Sequence, residues 1–248
     1  MMDRILCVAA VQDGRIKRSS LEVLSRFREI SRAHGASLDV VVADPEPERF
    51  FPTLASHGAS RIFAVRHDAF RRHLNEPTLR MLEGVAKQSG AEVVAFSSTE
   101  ATKDVLGALG ARMGGSVLSD VASIDFQNGQ WVAVRPVMAA KRLAHTRALT
   151  KPVLVSVRSG SYAASEDPAE PQIIDVPFDD DVKLPRPEMI DIVASVSGTV
   201  DLSEASVVVA AGRGVKDEAG RELVENLAAV FDAPIGATRA IVESGMYP

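Results

Sequence analysis

The chain has 248 residues, of which 46% are hydrophobic, and it carries a formal net charge of −5 at pH 7. This length fits one large domain or two ordinary ones, and the acidic balance argues against a nucleic-acid surface, which would need a basic patch. No apolar stretch reaches the roughly 18 residues that span a bilayer, and the first residues lack the pattern of a signal segment. We therefore expect a soluble, cytoplasmic protein without a transmembrane segment.

Strand and helix patterns alternate through the first part of the chain. Hydrophobic strands are predicted at residues 4–11, 38–43, 61–65 and 92–96, and helices at 19–35, 48–57 and 77–89, the first of them capped by Ser19 or Ser20 and ended by Gly35. Strands that alternate with helices at this spacing favour right-handed crossovers and a largely parallel sheet. Cys7, the only cysteine, falls in the first strand, where it is most simply a buried core residue rather than a nucleophile.

A hydroxyl-rich loop, SSTEATKD at residues 97–104, follows the fourth strand and leads into a helix that ends near Gly114. The loop lies at the carboxyl end of a strand, where doubly wound sheets bind ligands, so it could line a nucleotide pocket. Capping of the next helix by a serine or threonine also explains the composition, and this is the simpler interpretation.

From Ser119 onward the pattern becomes that of antiparallel strands. Asn128-Gly129 lies between two hydrophobic segments and is typical of a type I′ hairpin turn, which needs positive φ at both positions. Trp131, just after this turn, is predicted to pack within a strand. Charged and apolar residues then alternate through 142–149, which predicts an antiparallel extension with one solvated face, and residues 152–157 predict a further strand.

Residues 159–190 have no sustained period and contain five prolines together with the acidic triplet 179–181. This composition predicts an extended linker or partner-wrapping segment, in which the adjacent carboxylates form a solvated charge run rather than a metal site. None of the five histidines falls at zinc spacing with another ligand, so no metal site is predicted. A strand over 189–196 is then expected to lead into a second domain.

Near the end of the chain, residues 206–214 have the sequence SVVVAAGRG. The apolar run 207–211 predicts a parallel strand buried on both faces, and Gly212 and Gly214 let main-chain N–H groups approach an anion. A helix predicted from about 217 to 230 would point its positive end at the same place, and Arg213 adds a charge that can bind a phosphate. A tight strand-to-helix turn without a ligand explains the two glycines equally well.

A second element, GATRA at residues 236–240, follows the predicted helix. Together with the GRG turn, it resembles the α subunit of electron transfer flavoproteins, whose flavin domain opens with a hydrophobic strand, a GRG turn, a helix and a GASRA segment. Thr238 replaces the family's serine and keeps the hydroxyl. Earlier in the chain, SDV at 119–121 and RPVMA at 135–139 also resemble family segments, although Ala140-Lys141 replaces the usual glycine and asparagine.

The resemblance spans most of residues 4–248 and implies an α/β fold. We expect a mostly parallel twisted sheet flanked by helices with an antiparallel extension, followed by the beginning of a second, doubly wound FAD-binding domain. The implied domains are an N-terminal assembly domain at 1–158, the proline-rich and acidic linker at 159–190 and an incomplete FAD-binding domain at 191–248. Because the first domain of the family serves mainly in assembly, the resemblance favours the capping interpretation of the 97–104 loop.

By this resemblance the chain is an α subunit that holds FAD together with a β subunit. It would accept electrons from acyl-CoA or related dehydrogenases of fatty acid β-oxidation and pass them to a membrane quinone reductase, as an electron carrier rather than a substrate-converting enzyme. Gly212, Arg213, Gly214 and Thr238 would contact FAD. Arg239 would lie near the flavin ring and tune it, because a guanidinium stabilises negative charge on the reduced ring.

The number of elements after residue 201 supports a different hypothesis. The family's flavin domain continues through further segments that supply most FAD contacts, whereas residues 201–248 predict one strand, one helix and a second strand. Such a half-domain has an open strand edge and uncovered apolar faces. The alternative is therefore a shortened, non-redox assembly module that docks a β-like subunit without holding flavin.

Overall fold

The computed structural model describes residues 4–72, 74–179, 190, 202 and 205–247. By their contacts, residues 1–189 form a first compact unit and residues 190–248 a second. The strands and helices in chain order are β1 (Arg4–Ala9), β2 (Val11–Gln12), β3 (Arg15–Ile16), α1 (Arg18–His34), β4 (Ser37–Asp44), α2 (Phe51–Ser56), β5 (Arg61–Arg66), α3 (Asn75–Ser89), β6 (Val93–Ser97), α4 (Glu100–Met113), β7 (Ser116–Val121), β8 (Ser123–Gln127), β9 (Gln130–Val137), β10 (Arg142–Arg147), β11 (Val153–Val157), β12 (Gln172–Val176), β13 (Val209–Ala211), α5 (Glu218–Phe231), β14 (Ile235–Ala237) and α6 (Arg239–Val242).

Seven parallel strands form the main sheet of the first unit, in the order β12-β5-β4-β1-β6-β11-β7. The chain runs outward from the central strand β1 through β4 to β5 and then continues with β6 on the other side of β1. The predicted α/β fold with a mostly parallel sheet is therefore confirmed.

Two hydrophobic cores cover the two faces of this sheet. On one face, Ile5 and Cys7 of β1 pack with Phe27 of α1. On the other face, Leu6 of β1 packs with Leu82 of α3 and with residues of α4. Cys7 is 2% exposed, as predicted for a core residue, and burial raises the pKa of its thiol, with a smaller contribution from the charge of Asp39.

A separate antiparallel sheet, in the order β10-β9-β8, packs on the face that α1 covers. Asn128 and Gly129 join β8 to β9 with φ values of 51° and 79°, as the type I′ turn requires. Trp131 is 2% exposed and its ring centroid lies 5.7 Å from that of Phe27. The predicted hairpin, the antiparallel extension and the packing role of this tryptophan are all confirmed.

The segment after β11 packs on α1, α2 and β5 within the first unit. Arg28 of α1 donates hydrogen bonds to the Ser165 carbonyl (3.0 Å) and hydroxyl (2.7 Å), and the Asp167 N–H donates to the Ser56 carbonyl at 2.7 Å. Residues 172–176, predicted as part of an extended segment, form β12 and pair in parallel with β5. Of the acidic triplet, Asp179 accepts a hydrogen bond from Arg80 through its carbonyl. Residues 180–181 and most of the strand predicted at 189–196 lie outside the described residues.

The start of the chain differs from the prediction in two ways. The first strand ends at Ala9 rather than residue 11, because Asp13 and Gly14 form the turn of a small hairpin, β2-β3, with φ values of 49° and 72°. The predicted serine cap of α1 is wrong, because Lys17 occupies the N-cap position without a side-chain cap. Ser20 instead accepts a hydrogen bond from the Ala10 N–H at 3.0 Å, which ties the end of β1 to α1.

The second unit contains two parallel strands, β13 and β14, and the helix α5 that connects them. Val207 and Val208 are 46% and 39% exposed, so the prediction of a strand at 207–211 buried on both faces is wrong. Among the described residues, β13 pairs with β14 alone, so the other edge of β13 has no neighbouring strand. The exposed large apolar residues of this unit are Ile190, Leu202, Val207, Val208, Leu223, Leu227, Val230, Phe231 and Val242.

Candidate functional site

The carboxyl ends of β13 and β14 bring the two predicted sequence elements together. Ala211 pairs with Ala237, and the ladder continues with a hydrogen bond from the Thr238 N–H to the Ala211 carbonyl at 3.0 Å. Parallel strands end at the same edge of a sheet, so the residues that follow each strand become neighbours. Gly212 and Thr238 are therefore adjacent although they are far apart in the sequence.

Gly212, Arg213 and Gly214 form a tight turn after β13, closed by a hydrogen bond from the Val215 N–H to the Gly212 carbonyl at 3.0 Å. Neither glycine has a positive φ, so backbone strain does not explain them. A Cβ on Gly214 would meet nothing within 4 Å, and a Cβ on Gly212 would lie 3.8 Å from the Thr238 hydroxyl oxygen. The main chain of the two glycines, which carries no side chain, is therefore accessible beside that hydroxyl.

Thr238 takes the N-cap position of α6 without using its side chain as a cap. Its carbonyl accepts hydrogen bonds from the Ile241 and Val242 N–H groups, at 3.0 and 3.2 Å. The backbone of Thr238 is therefore held by the strand before it and the helix after it. Its exposed hydroxyl can donate or accept a hydrogen bond at the edge that the glycine turn occupies.

The helix α5 begins where the sequence predicts it. Asp217 is the N-cap of α5, and its carboxylate accepts a hydrogen bond from the Gly220 N–H at 2.8 Å. Glu218 places a second carboxylate in the first turn. Both carboxylates lie at the positive end of α5, where they oppose the approach of a phosphate. The contribution of this helix end to an anion site stays a prediction.

The two arginines of the site have different surroundings. Arg213 is exposed, and among the described residues its guanidinium has no hydrogen-bond or ion-pair partner. Arg239 is also exposed, and its Nε donates to Glu243 Oε1 at 2.6 Å across one turn of α6. Within the described ranges the charge of Arg213 is therefore not balanced by a carboxylate, whereas that of Arg239 is partly balanced by Glu243.

Tyr247 was not singled out from the sequence. Its ring is 9% exposed and packs with Ala211 and Ile241, and the Arg221 guanidinium lies 5.5 Å from the ring centroid. Its buried hydroxyl has no hydrogen-bond partner among the described residues. The sequence around Tyr247, GMYP, has no hydrophobic spacing that predicts burial of this tyrosine. The N-cap role of Asp217, in contrast, is predictable, because an aspartate directly before a helical pattern is a common N-cap.

Together these residues can bind an anionic group and a hydrogen-bonding group side by side. The open turn offers main-chain N–H groups, Arg213 offers a guanidinium that can donate two hydrogen bonds, and Thr238 offers a hydroxyl.

Among the residues that the structure describes, no three His, Cys, Asp or Glu side chains lie together as metal ligands would. Within the described ranges of the whole chain, no helix is both long enough and apolar enough to cross a membrane.

Comparison with known families agrees with this geometry. Residues 5–181 match the family model of the electron transfer flavoprotein domain, and residues 201–248 match that of the electron transfer flavoprotein FAD-binding domain. The second match contains the glycine turn, α5 and Thr238.

Similar proteins cover nearly the whole chain. The electron transfer flavoprotein subunit alpha of Mycobacterium leprae is 30% identical over an alignment that includes 100% of this chain and 76% of the relative. The Bacillus subtilis subunit alpha is 25% identical, with 98% of this chain and 74% of the relative covered. A mitochondrial subunit alpha from Oryza sativa is 29% identical, with 98% and 70% covered. This chain belongs to the electron transfer flavoprotein α-subunit family, as the sequence motifs predict.

Proposed function

We propose that this chain is an electron transfer flavoprotein α subunit that binds FAD together with a β subunit. The observation that carries the proposal is the turn Gly212–Gly214 beside Thr238, within a segment that matches the FAD-binding domain of the family. Main-chain amides, a guanidinium and a hydroxyl at one strand edge suit the pyrophosphate and sugar of a dinucleotide.

Within this proposal the residues of the turn bind and orient the cofactor. Arg213 donates charge-assisted hydrogen bonds to a phosphate, and Thr238 donates a hydrogen bond beside it. The carboxylate of Asp217 repels a phosphate from the start of α5, so the anion lies at the turn rather than at the helix terminus. FAD supplies the electron-accepting isoalloxazine ring, and the protein supplies its position and electrostatic surroundings.

Arg239 is proposed as the residue that tunes the flavin. A positive charge near the ring favours the reduced, more negative form and therefore raises the reduction potential. The Glu243 carboxylate that accepts the Arg239 hydrogen bond offsets part of this charge. The potential thus depends on both members of this pair.

We further propose that the complex works in the cytoplasm. It accepts electrons from acyl-CoA or related dehydrogenases, as in fatty acid β-oxidation, and passes them to a quinone reductase. The family membership supports an electron-carrier role, in which the chain converts no substrate itself. Reduction of the purified complex by a candidate acyl-CoA dehydrogenase and its substrate tests the donor. Cell fractionation tests the compartment, because the rice relatives are named as mitochondrial.

Flavin loading tests the central proposal. The chain is co-expressed with the β subunit of the same organism, and the FAD-to-protein ratio is measured from the visible flavin absorbance. We expect a yellow complex in which Arg213→Ala weakens FAD binding by about tenfold or more, because a hydrogen bond to a charged group contributes about 1.5–3 kcal/mol. Thr238→Val should cost a few-fold. Lys87→Ala, which removes an exposed cation at the end of α3, is the control and should leave the ratio unchanged.

A complex that stays colourless after FAD is added would contradict the proposal and leave the assembly module as the function. Equal FAD affinity in wild type, Arg213→Ala and Thr238→Val would show that flavin is held without the turn.

Potentiometry of the loaded complex tests Arg239. We expect Arg239→Ala to lower the one-electron potential by tens of millivolts, since about 59 mV corresponds to a tenfold change for one electron. Arg239→Lys should keep most of the potential, and Glu243→Gln should raise it by removing the balancing charge. An unchanged potential in Arg239→Ala with FAD fully bound would refute the tuning role.

A further inference from the structure

A cavity of about 360 Å³ opens in the first unit at the carboxyl ends of β1, β4 and β6. Because β4 and β6 lie on opposite sides of β1, the loops after β1 and β6 lead to helices on opposite faces of the sheet and leave a crevice between them. Gln12 and Lys17 line the cavity from the first loop, and Thr99 and Thr102 line it from the second. Open α/β sheets bind ligands at this topological switch point.

Val8 shows that the sheet is uncovered at this place. It lies in the central strand on the same face as Leu6, which is 0% exposed, yet Val8 itself is only half-buried. Ala43, near the end of the neighbouring strand β4, is half-buried as well. Central strands of a sheet with helices on both faces are normally buried. The helices α3 and α4 therefore leave open space over these two residues.

The interior of the cavity is apolar and contains two aromatic rings. Phe96 at the end of β6, Phe70 and Met81 line it together with Val8 and Ala43. Its volume lies near the lower end of the range of roughly 300–1,000 Å³ that is typical of small-molecule sites. Such an interior fits a planar ring system, which stacks on or packs against aromatic side chains.

One cation and one helix end line the cavity. Lys17 is a lining residue, and its ammonium donates to Gln12 Oε1 at 2.5 Å. The first turn of the fourteen-residue helix α4 also lines the cavity, and Thr99 Oγ1 accepts the Thr102 N–H at 3.1 Å as its cap. Glu100 adds a carboxylate to this turn, and the Lys103 ammonium donates to it at 2.8 Å. With that carboxylate paired, an ammonium and the positive end of a helix beside the same small space favour an anion.

One carboxylate also lies at the rim, but its charge is compensated. Asp44 accepts a hydrogen bond from the Glu46 N–H at 2.8 Å, and the Arg49 guanidinium lies 3.7 Å from it. Of the two charged residues that line the cavity, only Asp44 has an oppositely charged partner among the described residues, so the uncompensated charge is that of Lys17.

We propose that this cavity binds a small molecule made of a planar ring system and one anionic group. A nucleoside monophosphate and an aromatic carboxylate both have this chemistry. The ring lies against Phe96 and Val8, and the anion lies at Lys17 and the first turn of α4. The site involves residues of the first unit alone and does not depend on flavin binding by the second unit.

Isothermal titration of the full 248-residue chain with two matched pairs of probes tests the proposal. AMP is compared with adenosine, and indole-3-acetate with 3-methylindole, so that each anionic probe has a partner without the charge. We expect one-to-one binding of an anionic probe at least tenfold tighter than that of its neutral partner. The pair that shows this effect identifies whether the anion is a phosphate or a carboxylate.

Four variants, one of them a control, locate the binding. Lys17→Gln should weaken the anionic probe about tenfold and leave its neutral partner unchanged, whereas Lys87→Gln, an equal charge change outside the cavity, should have no effect. Ala43→Leu fills the open space and should abolish binding of both members of the pair. Thr78→Leu, from α3 on another wall of the cavity, serves the same purpose if Ala43→Leu does not keep the urea midpoint of the wild type.

Each of three results would overturn the proposal: no binding of any probe at millimolar concentration, equal affinity for charged and neutral partners, or binding that survives a folded cavity-filling variant. None of these results tests flavin loading by the second unit, so this proposal and the proposed function can fail independently of each other.

Discussion

The two units use the same parallel strand–helix–strand arrangement with very different burial. In the first unit, β1 has a strand on each side and helices on both faces, and Ile5 and Leu6 are 0% exposed. Among the described residues of the second unit, β13 and β14 pair only with each other, and Leu223 of α5 is 71% exposed. A hydrophobic run in the sequence therefore reports the tendency to be buried, and the number of neighbouring elements decides whether burial occurs.

The difference has an energetic consequence. Each Å² of apolar surface removed from water contributes about 25 cal/mol to stability. The first unit gains this over two cores on opposite faces of a seven-stranded sheet, whereas the second unit has one small core around Ala211, Ile241 and Tyr247. We therefore expect the first unit to account for most of the folding free energy of the described chain.

A matched pair of phenylalanine truncations provides the largest test of this contrast. Phe27 of α1 is 0% exposed, and Phe231 at the end of α5 is 56% exposed. Phe27→Ala should lower the free energy of unfolding by about 3–5 kcal/mol, because it leaves a cavity in a closed core. Phe231→Ala should change it by about 0.5 kcal/mol or less. Urea unfolding followed by circular dichroism measures both, and similar losses would show that the second unit is buried as fully as the first.

Removal of the α5 cap has a smaller expected effect, confined to the second unit. Asp217→Ala should destabilise α5 by about 1 kcal/mol, because the Gly220 N–H loses its acceptor. Asp217→Ser keeps an acceptor and removes the charge, so it should preserve the helix and strengthen FAD binding by the complex. Hydrogen exchange of the α5 amides measures the first effect and FAD titration the second. Weaker FAD binding in Asp217→Ser would mean that the carboxylate assists the ligand rather than repelling it.

The smallest expected effect is the acid dependence of the first unit. Within the described ranges, four carboxyl groups have clearly lowered pKa values, chiefly through side-chain hydrogen bonds, and all four lie in the first unit. They are Glu48 with Arg66, Glu83 with Lys87, Asp125 with Gln127 and Asp167 with Arg32. A lowered pKa in the folded state adds stability above the unfolded value of about 4, and this stability is lost as the pH falls through the folded value.

We therefore expect the urea midpoint of the first unit to fall modestly between about pH 5 and pH 3. Glu48 is exposed and the other three groups are partly exposed, so solvent screening keeps the change small. Asp167→Asn should reduce the pH dependence, and Asp13→Asn, a change in the β2-β3 turn, is the control. A midpoint that rises on acidification would have the wrong sign for this explanation.

Prediction from sequence succeeded where local pattern and burial agree. The strands at 38–43 and 61–65 are buried inside the main sheet, and Gly35 ends α1 in the left-handed conformation with φ of 66°. It failed where a neighbour decides the structure. Residues 172–176 lie in a proline-rich segment without a sustained period, and their short β-branched run becomes β12 because β5 offers an unpaired edge. Likewise β7 at 116–121 was not predicted and forms by pairing with β11.

The hydroxyl-rich loop at 97–104 shows a further limit. Thr99 caps α4, which confirms the capping interpretation. The same threonine also lines the cavity at the switch point, because capping uses its hydroxyl while the strand order sets its position. A local pattern can thus predict a hydrogen bond without predicting the space beside it.

By itself the sequence determined the family, most of the strands and helices of the first unit, and the residue types at the glycine turn and Thr238. These follow from local spacing, hydrophobic period and recognisable motifs. Only the tertiary structure decided that Gly212 and Thr238 are neighbours and that the apolar run before Gly212 stays partly exposed. Those properties depend on contacts between residues distant in the chain, for which a single sequence carries no local signal.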